Sequence, residues 1–276
     1  MGGGQDRAAH AVPNLFVIPL ELRVTFQDRT EQAPGQLGRR EFLAVTALEW
    51  LWPPYWFRNY IDIAGIRFRR RKHGPDGRHY LWIHGDEQTA HDVLIEHMKE
   101  ARGWAFYTPS KERNVSINGG KLDPNRMFSR VGAEQNLKKL NPSWTADQVK
   151  RALDRLDDDR ESFVKRLLPR AGEVLIALHN NGPDYSMNDE VGISDSVAAN
   201  DKEHPDEFLL CTQRPDFQVL AGGPFNVLWQ NAAPKEDDGS LSRLCAARGI
   251  RYVNIEAAAG NAAGQKRMLD WAERVL

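Results

Sequence analysis

The chain has 276 residues, of which 41% are hydrophobic and 27% are charged, a composition that suits one sizeable globular core. Its formal net charge of -1 gives no general reason to expect nucleic acid as a partner, and no apolar run approaches the roughly 20 residues that span a bilayer. The only two cysteines, Cys211 and Cys245, cannot supply a disulfide framework or a cysteine-rich metal site. Any metal must therefore be held by nitrogen and oxygen.

The beginning of the chain differs from the rest. It is polar and rich in glycine and proline, which predicts an N-terminal arm over residues 1–58 that is disordered or part of an export signal. Arg39 and Arg40 precede an apolar segment, as in a twin-arginine signal. The alternative is an amphipathic segment packed on the domain, because Glu49 interrupts the apolar stretch. Residues 59–276 are predicted to form the globular domain, and its location in the cell stays open between cytoplasm and export.

Further along the chain, short apolar segments alternate with helical patterns. The apolar segments are rich in β-branched and aromatic residues and are predicted to be buried strands. They lie at 78–85, 103–109, 173–180, 207–213, 226–231 and 251–257. The helical patterns lie at 88–102, 145–168, 240–248 and 262–275. This alternation predicts an α/β fold with a mixed, mostly parallel twisted sheet and helices on both faces.

One segment of the domain is strongly basic. It reads "RFRRRKHGPDGRH" and covers residues 67–79. Its Pro-Asp-Gly triplet is typical of a turn, so we predict a solvent-exposed hairpin loop here. Nucleic-acid binding is the weaker alternative.

Three of the predicted strands end in a residue that can bind a metal or act as a base. The strand "YLWIH" ends at His84, with Glu87 three residues later; "EVLIALH" ends at His179 and "YVNIE" ends at Glu256. In open α/β sheets ligands bind beyond the carboxyl ends of strands, so these side chains are predicted to share one site. Two imidazoles and one carboxylate are a common set for catalytic zinc and leave a fourth position for water. A nearby carboxylate can then take a proton from that water.

Asn125 and Arg126 add an amide and a planar guanidinium side by side, in the segment "KLDPNRMFSR". Arginine is well suited to gripping a carboxylate with two hydrogen bonds. A surface salt bridge is the alternative interpretation of the pair. The loop that leaves the strand end at His179 adds Asn180, Tyr185 and Ser186 as candidates to line the same pocket.

Taken in order along the chain, these motifs resemble the zinc carboxypeptidase superfamily. Its members include peptide-cleaving carboxypeptidases and deacylases such as aspartoacylase and succinylglutamate desuccinylase. The segment "HGDE" resembles the His-Gly-x-Glu of the deacylases, and "DPNRMF" resembles the Asn-Arg motif of the superfamily. "IALHN" and "VNIEA" resemble the strands that carry the second histidine and the catalytic glutamate. The resemblance covers about residues 78–276.

The resemblance implies a zinc carboxypeptidase-like fold that binds one Zn2+ per chain. His84, Glu87 and His179 would be its ligands. Glu256 would be the general base and afterwards the proton donor to the leaving amine.

The resemblance also implies how substrate is held. Asn125 and Arg126 would hold a substrate carboxylate, and Arg113 is the nearest candidate for the arginine that stabilises the oxyanion in carboxypeptidases. Its spacing departs from the family pattern. The mobile tyrosine of carboxypeptidases has no counterpart between Tyr185 and Tyr252. The implied partner is a small peptide or an acylated amino acid.

The function that we expect is zinc-dependent hydrolysis of an amide bond next to a free carboxylate, as in carboxypeptidases. Deacylases of this type append a β-rich domain after the catalytic glutamate, whereas twenty residues follow Glu256 here. The short stretch between Glu87 and Asn125 is more typical of the deacylases, so an N-acyl amino acid deacylase is the alternative. A non-catalytic binding module on the same fold is a third class, because fold does not fix function.

Overall fold

The computed structural model describes residues 59–231 and 237–276. The predicted N-terminal arm, with Arg39 and Arg40, lies outside the described residues. The strands are β1 Tyr60–Ile63, β2 Ile66–His73, β3 His79–Trp82, β4 Gly103–Tyr107, β5 Val115–Ile117, β6 Gly120–Leu122, β7 Val174–Asn181, β8 Ser196–Ala198, β9 Phe208–Cys211, β10 Asn226–Trp229 and β11 Arg251–Ala258. The α-helices are α1 Gln88–His97, α2 Arg130–Leu140, α3 Ala146–Leu167, α4 Met187–Val191, α5 Arg214–Leu220, α6 Leu241–Ala247 and α7 Ala262–Val275, and a 3-10 turn covers Pro124–Arg126.

Nine of these strands form one mixed sheet in the order β1-β2-β4-β3-β7-β11-β9-β10-β8. The four central strands β4, β3, β7 and β11 run parallel to one another, as do β9 and β10. The other four pairings are antiparallel. Strands β5 and β6 form a separate hairpin. The predicted α/β class and the mixed sheet are confirmed, and parallel pairing is concentrated at the centre, where both faces are buried.

Helices cover the sheet on both faces, as predicted. On one face Phe163 of α3 meets Phe68 of β2 edge to face, with ring centroids 5.3 Å apart. On the opposite face Leu94 of α1 and Met268 of α7 join a second cluster that includes Ile255 of β11. Burial of a side chain such as Leu94 contributes about 1.5–3 kcal/mol, so the two layers hold the central strands from both sides.

Helix α3 begins where its sequence signal predicts. The hydroxyl of Thr145 accepts a hydrogen bond from the Gln148 backbone N–H at 3.3 Å, and the Gln148 side chain accepts one from the Thr145 N–H at 2.9 Å. This reciprocal pair satisfies two backbone donors that a helix end leaves unpaired. No helix within residues 59–231 and 237–276 has the length and apolar character of a membrane span.

The basic run at 67–79 is mostly strand. Residues 67–73 belong to β2, which pairs with β1 on one side and β4 on the other. Ile66 and Phe68 are buried, whereas Arg67 is exposed, which is the alternation of a half-buried strand. The prediction of a hairpin loop for residues 67–73 was therefore wrong, because two strand neighbours hold this segment in the sheet despite its charge.

Candidate metal centre and substrate cavity

The sheet register places the strand-end residues together. His179 on β7 is the direct register partner of Glu256 on β11. His84 lies two residues beyond β3, the strand that pairs with β7 on its other side. These side chains are 4%, 7% and 2% exposed in the order named, so they are held in a dry environment at one edge of the sheet. This is the edge at which open α/β sheets bind ligands.

Glu87 joins the two histidines. The turn out of β3, in which the Glu87 N–H donates to the His84 carbonyl at 3.3 Å, brings positions i and i+3 together. His84 Nδ1 lies 2.8 Å from Glu87 Oε1, and His179 Nδ1 lies 3.1 Å from Glu87 Oε2. One ligand atom from each of the three residues lies within 4.8 Å of the others. His84, Glu87 and His179 could therefore hold a metal ion.

The chemistry of this cluster fits a divalent cation. Glu87 Oε2 is buried and accepts no hydrogen bond in the part of the chain that the structure describes, despite its closeness to His179. A buried oxygen left unsatisfied costs about 1–3 kcal/mol, which a bound cation would remove. Burial raises the pKa of Glu87, but the nearby His179 and His84 lower it by more. The pKa therefore lies well below its usual range and the carboxylate is ionised. Two imidazole nitrogens and a carboxylate are a ligand set of catalytic metal sites.

Asp123 also contacts this cluster and was not singled out in the sequence. His84 Nε2 lies 2.9 Å from Asp123 Oδ1, so the imidazole is bracketed by Asp123 and Glu87. Burial lowers the pKa of His84, but the hydrogen bonds to Asp123 and Glu87 raise it to about 9. Burial raises the pKa of Asp123, but the hydrogen bond with His84 lowers it by more, so that the pKa of Asp123 is about 2. Asp123 itself accepts from the Asn125 N–H at 2.8 Å, which fixes the carboxylate. A carboxylate on the far nitrogen of a ligating histidine fixes its tautomer and orientation.

Glu256 faces the same cluster. Asn254 Nδ2 donates to Glu256 Oε1 at 2.8 Å. Burial raises the pKa of Glu256 and Glu87 raises it further, whereas His179 and Asn254 act in the opposite direction; the net shift is upward. A carboxyl group with a raised pKa beside candidate metal ligands is suited to moving protons near neutral pH.

A cavity of about 300 Å³ opens beside this cluster. It is lined by every site residue that the sequence predicts: His84, Glu87, Arg113, Asn125, Arg126, His179 and Glu256. Asn180 and Tyr185 line it too, whereas Ser186 begins helix α4 as its N-cap. The structure thus gathers onto one cavity residues that lie as far apart in the sequence as His84 and Glu256.

Arg113 contacts the acidic residues of the cluster. Its Nη1 donates to Glu87 Oε1 at 3.2 Å, and its Nη2 lies 3.8 Å from Asp123 Oδ2. The guanidinium is about half exposed, so it lies at the mouth of the cavity with one side toward solvent. Arg113 therefore offsets the charge of two carboxylates and still presents donors to a ligand.

Asn125 and Arg126 contact the segment that leads into α6. Asn125 Oδ1 accepts from the Leu241 N–H at 3.0 Å, and Arg126 Nη1 lies 3.2 Å from Asp238 Oδ2. Arg243, in the first turn of α6, also lines the cavity and was not singled out in the sequence. Within residues 59–231 and 237–276, Arg243 makes no ion pair or hydrogen bond. The Arg243 guanidinium is therefore more available to an anionic group than that of Arg126, which pairs with Asp238.

Glu190 is a further cavity residue that the sequence did not single out. Its Oε1 accepts from the Tyr185 hydroxyl at 2.7 Å, and its Oε2 accepts from Gln230 Nε2 at 2.8 Å. The three residues come from α4, the loop before it and the end of β10. The sequence gives no signal of such a role for Glu190, because its partner Gln230 is 40 residues away.

No protein-family model and no curated protein matches this chain. Among solved structures, it is similar to the ectoine utilization protein EutE (DoeB) from Ruegeria pomeroyi, with 16% identity and a TM-score of 0.40 over 75% of this chain and 59% of that one. It is similar to succinylglutamate desuccinylase/aspartoacylase from Rhodobacter sphaeroides, with 15% identity and a TM-score of 0.40 over 76% of this chain and 58% of that one. It is also similar to a predicted metallopeptidase from Shewanella baltica OS155, with 12% identity and a TM-score of 0.37 over 78% of this chain and 84% of that one.

The chain spans less than two thirds of the length of EutE and of the desuccinylase/aspartoacylase. Likeness at these identities and TM-scores carries no argument about activity.

Proposed function

We propose that the protein is a zinc-dependent hydrolase that cleaves an amide bond next to a free carboxylate. The observation that carries this proposal is the composition of one cavity. It combines a cluster that could hold a metal ion, a buried glutamate with a raised pKa and two arginines that could receive a carboxylate. A binding module would have no need of the glutamate, which makes hydrolysis the function that these groups serve together.

His84, Glu87 and His179 would hold the zinc. Their two nitrogens and one carboxylate oxygen leave room for further ligands in the ion's coordination. When bound, zinc supplies Lewis acidity, which polarises a carbonyl and lowers the pKa of water. Asp123 would hold the His84 ring with Nδ1 toward the ion, because Nε2 is committed to the carboxylate at 2.9 Å.

Glu256 would move the proton. Its raised pKa means that it gains and releases a proton more readily near neutral pH than an exposed glutamate does. It would accept a proton from the attacking water and deliver it to the nitrogen of the leaving amine. Asn254 would hold the carboxylate in place for both transfers through its 2.8 Å hydrogen bond to Oε1.

Arg126 and Arg243 would receive the substrate carboxylate, with Asn125 beside them. The pair between Arg126 and Asp238 is a third to nearly a half exposed, and such pairs are worth only about 0–1 kcal/mol. A substrate carboxylate can therefore compete with Asp238 for the Arg126 guanidinium. Small peptides and acylated amino acids both carry the required amide next to a free carboxylate, so both belong to the proposed substrate class.

The test combines metal analysis with turnover. Zinc content is measured by elemental analysis on wild type, His179→Ala and Glu256→Gln, and amide hydrolysis is followed on a panel of dipeptides and N-acyl amino acids. We expect one zinc per chain in wild type and in Glu256→Gln, and loss of zinc in His179→Ala. Glu256→Gln should lose about 10²–10⁴-fold in turnover, because it keeps the size of the side chain and removes its basicity.

Glu203→Gln is the matched control, since Glu203 is an exposed carboxylate outside the cavity. It should behave as wild type. Full zinc occupancy in His179→Ala would contradict the ligand assignment. Near-normal turnover in Glu256→Gln would contradict the assignment of the general base.

A further inference from the structure

Glu190 is a carboxylate that is fixed in the cavity by neutral donors. The Tyr185 hydroxyl donates to one oxygen at 2.7 Å and Gln230 Nε2 donates to the other at 2.8 Å. Gln230 is buried, and two further hydrogen bonds hold it in place. Its Nε2 also donates to the Ser194 hydroxyl at 3.2 Å, and its backbone N–H donates to the Cys211 carbonyl at 2.9 Å. Glu190 pairs with no cation in the residues that the structure describes. Its charge is therefore rigidly placed and not neutralised by this part of the chain.

Asn254 provides a second, independent observation in the same cavity. Its Nδ2 donates to Glu256, which fixes the orientation of the amide and leaves Oδ1 as an acceptor. Oδ1 is buried and has no hydrogen-bond partner among the described residues. A buried acceptor without a donor costs about 1–3 kcal/mol.

The surroundings of these two groups define the ligand chemistry. Asn254 is the register partner of Leu210 on β9, and Leu210 and Ile193 also line the cavity. The cavity therefore offers apolar surface together with the Glu190 carboxylate, which pairs with no cation among the described residues. An aliphatic stem that ends in an ammonium or a guanidinium matches this combination, because such a group carries only donors.

We propose that Glu190 receives a cationic side chain of the substrate, so that the cavity selects amides of lysine-like or arginine-like amino acids. This inference rests on the proposed function, since it assigns the side chain of the amino acid whose carboxylate binds Arg126 and Arg243. The amino acid is thus recognised at both of its charged ends. Fixing both ends also orients the amide nitrogen toward Glu256.

A purely structural role for Glu190 makes a different prediction. In that case the carboxylate serves only to tie Tyr185 to Gln230, and a neutral side chain of the same shape would bind substrates as before. Selectivity between a charged ligand and its neutral isostere separates the two roles. Arginine and citrulline are such a pair, since they differ in one terminal group and in charge.

The experiment is calorimetric titration of the zinc-loaded protein with free L-arginine and free L-citrulline, which are not turned over. Wild type should bind arginine about 10- to 100-fold more tightly, the range of a hydrogen bond between charged groups. Glu190→Gln should bring the two affinities to within about threefold, and the exposed control Glu203→Gln should keep the wild-type ratio. Melting temperatures of both variants are measured alongside.

Equal affinities in wild type would overturn the inference without any variant, so a failure of Glu190→Gln to fold does not protect it. An arginine preference that survives in folded Glu190→Gln would overturn it as well. Binding and turnover fail separately. A protein that prefers arginine and hydrolyses no amide refutes the proposed function alone, whereas an active hydrolase that binds both ligands equally refutes this inference alone.

Discussion

Asp123→Asn is the substitution that most directly tests how the candidate metal ligands are held. Asparagine keeps the size of the side chain and removes its charge, so the hydrogen bond from His84 Nε2 at 2.9 Å becomes weaker and its direction is no longer fixed by a carboxylate. Asp123 and His84 are both buried, so solvent does not screen the change. We expect zinc affinity to fall about 10- to 100-fold, or about 1.4–2.7 kcal/mol at 1.36 kcal/mol per factor of ten.

Proton competition acts in the opposite direction and has to be removed from the measurement. Asp123 helps to raise the pKa of His84 to about 9, so below that pH a zinc ion would have to displace a proton in wild type. Zinc is therefore titrated against a competing chelator at least one pH unit above that value, where the His84 ring is mostly deprotonated in both proteins. Asp158→Asn, at an exposed aspartate on α3, is the control and should match wild type. Unchanged zinc affinity in a folded Asp123→Asn protein would refute the assignment of Asp123 as the residue that orients His84.

Two further predictions concern stability and are read from urea unfolding. Arg251→Met should lower the free energy of unfolding by about 2–3 kcal/mol, because it leaves the buried Asp216 carboxylate without the guanidinium that contacts it at 2.8 and 3.1 Å. The loss is somewhat smaller than for a fully buried pair, because the Arg251 side chain is partly exposed. A loss below about 0.5 kcal/mol, the size of an ordinary surface change, would contradict this. Burial raises the pKa of Glu273, but the His97 imidazole, whose Nε2 lies 3.4 Å from Glu273 Oε1, and the hydrogen bond from the Tyr80 hydroxyl lower it by more. The contribution of Glu273 to stability is therefore present above the ordinary carboxyl pKa of ~4.3 and is lost as pH falls through the lowered value. Glu273→Gln should therefore destabilise by about 1–2 kcal/mol at pH 7 and by less as the pH is taken below ~4.3, and a loss that does not depend on pH would contradict the charge-based explanation.

The sequence predicted the core of the sheet because its signals are local. A run such as "EVLIALH" is apolar on both faces and then stops at a polar residue, which indicates both a buried central strand and its carboxyl end. The predicted strands of the central sheet and the helix beginning after Thr145 are present for this reason. Helix α2 was not predicted, and its packing shows why. A Cβ on Gly132 would lie 2.2 Å from the Gly239 backbone, so this glycine is needed for a close approach that only the folded chain reveals.

The parts of the site that were missed depend on contacts between distant segments. Asp123 reaches His84 from 39 residues away, and Glu190 reaches Gln230 across 40. In the sequence each of these acids is one of many, since the chain holds 38 aspartates and glutamates. What distinguishes them is burial and the direction of one hydrogen bond, and neither has a sequence pattern.

The Asn-Arg pair has a structural role besides the one proposed for it. Asn125 Oδ1 accepts from the first N–H of α6, and the Phe128 N–H donates to the Gly239 carbonyl at 3.1 Å. The segment around Arg126 therefore sets the position at which α6 begins. Arg243 lies in the first turn of that helix, so its place in the cavity depends on Asn125.

This dependence changes what a substitution at the pair can prove. Loss of activity on changing Asn125 would follow either from a lost contact to substrate or from displacement of Arg243 with its helix. Arg243 has no protein partner to lose among the described residues, so a change there alters the charge of the cavity with the least disturbance of the fold. The proposed binding of a carboxylate is therefore tested at Arg243 first, and the contribution of Asn125 and Arg126 is measured against that result.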